Sequence, residues 1–103
     1  MKTTARIQRS FKTIMDNAKK HYVYTLRCAD GTYYTGYTTN IEQRINKHER
    51  GLGAKYTRGR GPFQLVFTKE FPTKTEAMRA EYRIKKMPRY KKEQFFVLEN
   101  RKG

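Results

Sequence analysis

Two tyrosine-rich runs, Tyr22 to Cys28 and Tyr33 to Thr38, flank the turn-forming stretch Ala29-Asp30-Gly31-Thr32. Aromatic and β-branched residues on both sides of Asp-Gly are a strong short-range signal for a hairpin. Antiparallel pairing is therefore built into the chain from the outset. Tyr24 and Tyr34 set a condition on that hairpin. A two-residue Asp30-Gly31 loop pairs residues whose numbers sum to 61, which sends these two side chains to opposite faces. A one-residue change of register exchanges the faces. If the two tyrosines share a pocket, the connection is three residues long or bulged, with Gly31 at positive φ.

The remaining signals follow in order. Thr39-Asn40-Ile41-Glu42 reads as a capping box with Thr39 at the N-cap, opening a helix that runs to about Arg50 and stops at Gly51. Residues 50–61 form a loop in which Gly51, Gly53, Gly59 and Gly61 stand among Arg50, Lys55, Arg58 and Arg60. Phe63 to Phe71 reads as a third strand, and Thr73-Lys74-Thr75-Glu76 as a second capping box opening a helix to about Met87. Pro88 breaks that helix, and Tyr90, Gln94, Val97 and Leu98 share a face of a last one. The order β-β-α-β-α-α describes a small α/β (α+β) domain, a three-stranded antiparallel sheet flanked by helices, over residues 21–98. Residues 99–103 form a short tail.

Residues 1–20 differ in composition, with six Lys or Arg against the single Asp16. Ile7, Phe11, Ile14, Met15 and Ala18 fall at helical spacing. A basic N-terminal extension, an organelle transit peptide, and an upstream start with Met15 as the true initiator all fit that pattern.

Charge narrows the function. The 103 residues carry 24 Lys or Arg against 9 Asp or Glu, a formal charge of +15, which repels itself unless a polyanion is the usual partner. Nucleic acid is the leading candidate for that partner, with DNA expected before RNA. Aromatics at 14% are enough for a packed core, and no apolar run reaches membrane-spanning length. The lone Cys28 excludes an intramolecular disulfide, and with only His21 and His48 beside it a structural zinc site is not expected. These features point to a reducing aqueous compartment, the cytoplasm, with a monomer favoured.

Two helices place ionisable residues where their pattern asks for core. Ile41, Arg44, Ile45 and His48 follow i, i+3, i+4, i+7, and Ala77, Ala80, Glu81 and Ile84 do the same. A buried guanidinium or carboxylate needs a partner. One solution is a salt bridge between Arg44 and Glu81. The other is a shared pocket beside the tyrosine-rich hairpin.

In sequence, Tyr22-Val23-Tyr24, Tyr34-Thr35-Gly36, Arg44 with His48, the basic glycine loop Gly51 to Pro62, and Glu81 resemble the GIY-YIG nuclease family, in its small single-domain bacterial branch. The resemblance covers residues 21–98. It implies metal-dependent phosphodiester hydrolysis, with Tyr24, Tyr34, Arg44, His48 and Glu81 at the site and Glu81 holding a single Mg²⁺ or Mn²⁺. Tyr22 stands in place of the first glycine of the family name and Thr35 in place of the isoleucine of the second triplet. Lys91 stands where several members carry an asparagine.

The chemistry sets its own demands. Nine scattered acids argue against a two-metal site, and one carboxylate completed by waters suits Mg²⁺. Arg44 suits a bidentate grip on the developing pentavalent phosphorus. Tyrosine with a pKa near ~10 is only about 0.1% ionised at neutral pH, and lowering it three units takes roughly 4 kcal/mol. Either Tyr24 is the base, helped by cations, or it relays a proton to His48. Lys55, Arg58 and Arg60 in the loop, and Lys85 and Arg89 later on, read either as phosphate contacts or as solvated faces. A catalytic nuclease and a non-catalytic nucleic-acid-binding module share the charge, and only Tyr24, Arg44 and Glu81 favour the enzyme. No element reads base edges, so substrate choice by structure, single strands or ends is expected rather than by sequence.

Overall fold

The computed structural model describes residues 20–102. Strands β1 (His21–Arg27), β2 (Tyr33–Thr38) and β3 (Gln64–Phe71) form one antiparallel sheet in the order β2-β1-β3. Helix α1 (Ile41–Glu49) follows β2, a short 3₁₀ turn (Lys55–Thr57) interrupts the loop, and α2 (Lys74–Lys86) and α3 (Arg89–Lys102) follow β3. The expected order and sheet are the observed ones, and α3 continues to Lys102, beyond the expected boundary at residue 98. The basic segment 1–19 and its helical spacing lie outside the described residues. Among the described residues, no helix is long and apolar enough to cross a membrane.

The hairpin meets the condition set by its tyrosines. The Cys28 amide donates to Thr32 O at 2.8 Å and the Gly31 amide to Cys28 O at 2.9 Å, closing a three-residue bulged loop. Gly31 takes φ 84°, which a side chain would resist. Tyr24 pairs with Gly36 and Leu26 with Tyr34, so all four occupy one face of the sheet. The opposite face carries Val23 and Phe67, which pack with Ala77, Ala80, Ile84 and Phe96 into the core beneath α2 and α3. Tyr33 and Tyr37 belong to that second face as half-buried packing aromatics. Phe67 lies opposite Thr25 on the core side, and a bulge just beyond shifts the β1–β3 register so that Leu26 meets Leu65.

Two local expectations change. Asn40, not Thr39, caps α1: its side chain accepts from the Gln43 amide at 3.0 Å, and Thr38 Oγ1 accepts from the Asn40 amide at 3.1 Å. Asparagine is at least as good a cap as threonine. The far end closes as expected around Gly51 at φ 75°, with the Gly51 amide on His48 O and the Leu52 amide on Lys47 O. Thr73 caps α2 as expected, accepting from the Glu76 amide at 3.2 Å. On α3 the inward residues are Phe95 and Phe96, whereas Tyr90, Val97 and Leu98 are more than half exposed. Burying two adjacent rings against Phe67 outweighs an alignment of Tyr90, Val97 and Leu98.

Candidate active site

The site grows from the even-numbered face of the hairpin. Tyr24, at the centre of β1, is fully buried, and its cross-strand neighbour is Gly36. A Cβ at Gly36 would lie 2.7 Å from the Tyr24 hydroxyl oxygen, so the glycine leaves the space that hydroxyl occupies. Helix α1 brings two side chains to it. His48, 1% exposed, places Nε2 2.7 Å from the Tyr24 hydroxyl, and Arg44 Nε donates to the same oxygen at 3.3 Å. The Tyr34 ring lies 6.3 Å from that of Tyr24 and 5.2 Å from that of His48.

The far side of the imidazole fixes its tautomer. Thr57 Oγ1 donates to Ala54 O at 2.9 Å, so its single proton is committed. Toward His48 Nδ1, 2.8 Å away, the threonine oxygen can only accept. Nδ1 therefore carries the proton, and the bare Nε2 accepts from the Tyr24 hydroxyl. The result is a directed chain from Arg44 through Tyr24, His48 and Thr57 to the Ala54 carbonyl. Gly53 lets the loop lie against the ring: a Cβ there would collide with His48 Nδ1.

The electrostatics bear on both proton routes. Tyr24 is not brought down toward neutrality; burial pushes it up to about 12. The hydrogen bond from Arg44 pulls the other way without offsetting the lost hydration, and the Glu81 carboxylate is near enough to raise it further. His48 is held below its ordinary value by the same burial and by the Arg44 charge. The resting pair is a neutral phenol donating to a neutral imidazole. Burial disfavours the charged form of both partners. Arg44 is stabilised as a cation, first by its bond to Tyr24.

Glu81 lies on the inward stripe of α2, as its spacing requires. The salt bridge that would have tied it to Arg44 does not form. Arg44 bonds to Tyr24, and the Glu81 carboxylate pairs with Lys85 at 3.0 Å, one turn along its own helix. Of the two arrangements open to these residues, the Arg44 salt bridge is absent, and what links Glu81 to the cluster is the effect of its charge on Tyr24.

The five expected backbone-contact residues divide. Lys55 and Arg58 stand exposed on the loop. Arg60 is tied to Asp30 and stacks over Tyr56 at 4.5 Å, while its carbonyl accepts from the Ala29 amide, so it anchors the loop to the hairpin. Lys85 faces Glu81. Arg89 donates to Gly31 O at 2.8 Å, pairs with Glu93 at 3.5 Å and lies over the Tyr33 ring. Lys91 is exposed near the start of α3. Thr57 escaped the sequence reading altogether, because nothing in its spacing marks it. Only the demand of a buried imidazole for two partners would have raised the question.

Residues 20–94 match the model of the GIY-YIG catalytic domain. A UPF0213 protein of Halalkalibacterium halodurans is 63% identical over 78 residues, covering 76% of this chain and 83% of that protein. A UPF0213 protein of Halobacterium salinarum is 57% identical, covering 74% of this chain and 99% of its own length. The solution NMR structure of the UPF0213 protein from Bacillus halodurans superposes with a TM-score of 0.53 at 62% identity, covering 77% of this chain and 84% of that one. That of an E. faecalis protein gives 0.58 at 44% identity, covering 80% and 88%. With the tyrosine pair gathered on the α1 arginine and histidine and the match running over residues 20–94, the chain belongs to the GIY-YIG catalytic-domain family.

Proposed function

We propose that this protein is a divalent-metal-dependent, endonuclease-like hydrolase of phosphodiester bonds in DNA that selects its substrate by structure rather than by sequence. The observation that carries the reading is the Tyr24–His48 pair, a buried phenol aimed at the unprotonated nitrogen of an oriented imidazole. A structural hydrogen bond would need no Arg44 on the same oxygen and no Glu81 charge beside it.

In this reading Tyr24 takes a proton from the attacking water as its own passes to His48 Nε2. The imidazolium that forms keeps both N–H groups bonded, to Tyr24 and to Thr57. Arg44 stabilises the phenolate character of Tyr24 and, with its remaining donors, the non-bridging oxygens of the phosphate. Glu81 fits a cation site: its nearly buried carboxylate already holds the Lys85 ammonium at 3.0 Å. Among the described residues no group of three or more His, Cys, Asp or Glu gathers, so a Mg²⁺ or Mn²⁺ here would rest on Glu81, with waters completing its shell. The ion would neutralise charge on the phosphate and the leaving oxygen.

Incubation with single-stranded, duplex and branched DNA, with Mg²⁺ or Mn²⁺ and with EDTA, tests the reading. Cleavage of at least one substrate that stops in EDTA is expected. Binding without cleavage under every metal condition contradicts it.

A further inference from the structure

We propose that the cleft beside Tyr34 is a subsite for the nucleotide next to the scissile phosphate, with its phosphate between Lys85 and Lys92 and its base or sugar against Tyr34 and Tyr56. The inference rests on the nuclease reading only for the word scissile; the cleft itself stands on geometry. It has a volume of about 240 Å³ and lies between β2, the basic loop and helices α2 and α3. Tyr34 is a wall of this cleft and also touches the catalytic cluster, its ring 5.2 Å from that of His48. A ligand seated here is therefore adjacent to the reacting groups.

The lining matches a nucleotide in two respects. Tyr34 and Tyr56 lie nearly parallel, with centroids 6.1 Å apart and 24° between planes, and present aromatic surface at the mouth. Arg60 packs over Tyr56 at 4.5 Å and holds that ring in place. Base or sugar contact with such rings tolerates any sequence. The cations are Lys85 and Lys92, from two different helices, and no carboxylate lines the cleft. Two acids bond to lining residues without themselves lining the cleft: Glu93 accepts from the Tyr33 hydroxyl at 3.4 Å and pairs with Arg89, and Glu81 pairs with Lys85 at 3.0 Å. Lys85 thus stands at the junction of the two sites.

Thymidine 3′,5′-bisphosphate titrated in EDTA, followed by amide chemical shifts, is the direct test, with inorganic phosphate in parallel. The largest shifts are expected at Tyr34, Thr35, Tyr56, Lys85 and Lys92. Lys92→Met should weaken the bisphosphate about tenfold, as expected for loss of a charge-assisted contact. Tyr56→Leu should narrow the preference for bisphosphate over phosphate by about the same factor. Arg101→Met, an exposed cation elsewhere on α3, should leave both constants unchanged. On an oligonucleotide, Lys92→Met should raise KM far more than it lowers kcat. Shifts confined to Lys55 and Arg58, or a Lys92→Met protein that binds like wild type, overturn the subsite. Cleft binding by a protein that cuts nothing overturns the nuclease reading instead, so the two failures are distinguishable.

Discussion

A phenol 2.7 Å from an imidazole is useful to catalysis only if the proton between them has a defined direction. Here Thr57 supplies that direction, and its removal is the sharpest test at the residue scale. Thr57→Val keeps the shape but leaves His48 Nδ1–H without an acceptor, which costs about 1–3 kcal/mol of stability. The alternative tautomer relieves that cost by bringing its proton to Nε2, and then Tyr24 has nothing to donate to. Activity should fall on the order of 100-fold, with KM little changed, in steady-state cleavage assays. A pH profile gives the second check. His48 is depressed below 6.5, so kcat should stay level from neutrality down to that value and fall only below it, where Nε2 becomes protonated. Stability follows the same group: the unfolded histidine takes up its proton first, so stability is present above 6.5 and declines as pH falls beneath it. Tyr24 acts at the other end. Its raised value keeps the folded phenol neutral while the unfolded one ionises, so stability declines from pH 10 toward about 12. Thermal melts of Tyr24→Phe should lack that part of the alkaline decline.

At the scale of elements, the site depends on three pieces held in register: the hairpin face, α1 and the loop. Gly36→Ala tests the register, because its new Cβ meets Tyr24 and Tyr34 within 3.0 Å. We expect a loss of about 1–3 kcal/mol in denaturant melts, together with loss of cleavage as the phenol shifts off His48. The loop divides by residue. Arg58→Ala should reduce the salt dependence of DNA binding by about one phosphate contact. Arg60→Ala should reduce it less and lower stability by about 0–1 kcal/mol, since its ion pair with Asp30 is partly exposed. Much of this was legible in the chain. The inward positions of Arg44, His48 and Glu81 follow from helical spacing, and the bulged hairpin follows from asking where Tyr24 and Tyr34 must point. What escaped depends on contacts distant in sequence or on competition between near-equal options. Thr57 reaches His48 across nine positions with no periodic signal. Asn40 and Thr39 are comparable caps, and packing decides between them. On α3, the adjacent Phe95 and Phe96 were overridden by the spacing of Tyr90, Val97 and Leu98, although two rings bury more area.

The whole molecule carries a formal +15, and on the proposed function that field governs encounter with DNA. With ~4–6 phosphates neutralised, log K against log salt should fall with a slope near −4 to −5 and be nearly indifferent to sequence. A slope near zero in anisotropy titrations would exclude nucleic acid as the main partner. Binding alone does not distinguish an enzyme from a module that keeps the fold, and Glu81 does. Its partner is the half-exposed Lys85, not a buried Arg44, so Glu81→Gln strands no buried cation and should lower stability by no more than about 1 kcal/mol. The decisive measurement is cleavage, DNA affinity and melting temperature of Glu81→Gln beside wild type in one preparation with Mg²⁺ or Mn²⁺. Loss of cleavage by orders of magnitude is the predicted result, with affinity retained or tightened and the melting temperature nearly unchanged. A variant that still cuts at the wild-type rate would contradict the assignment of Glu81, and with it the catalytic site built around Tyr24.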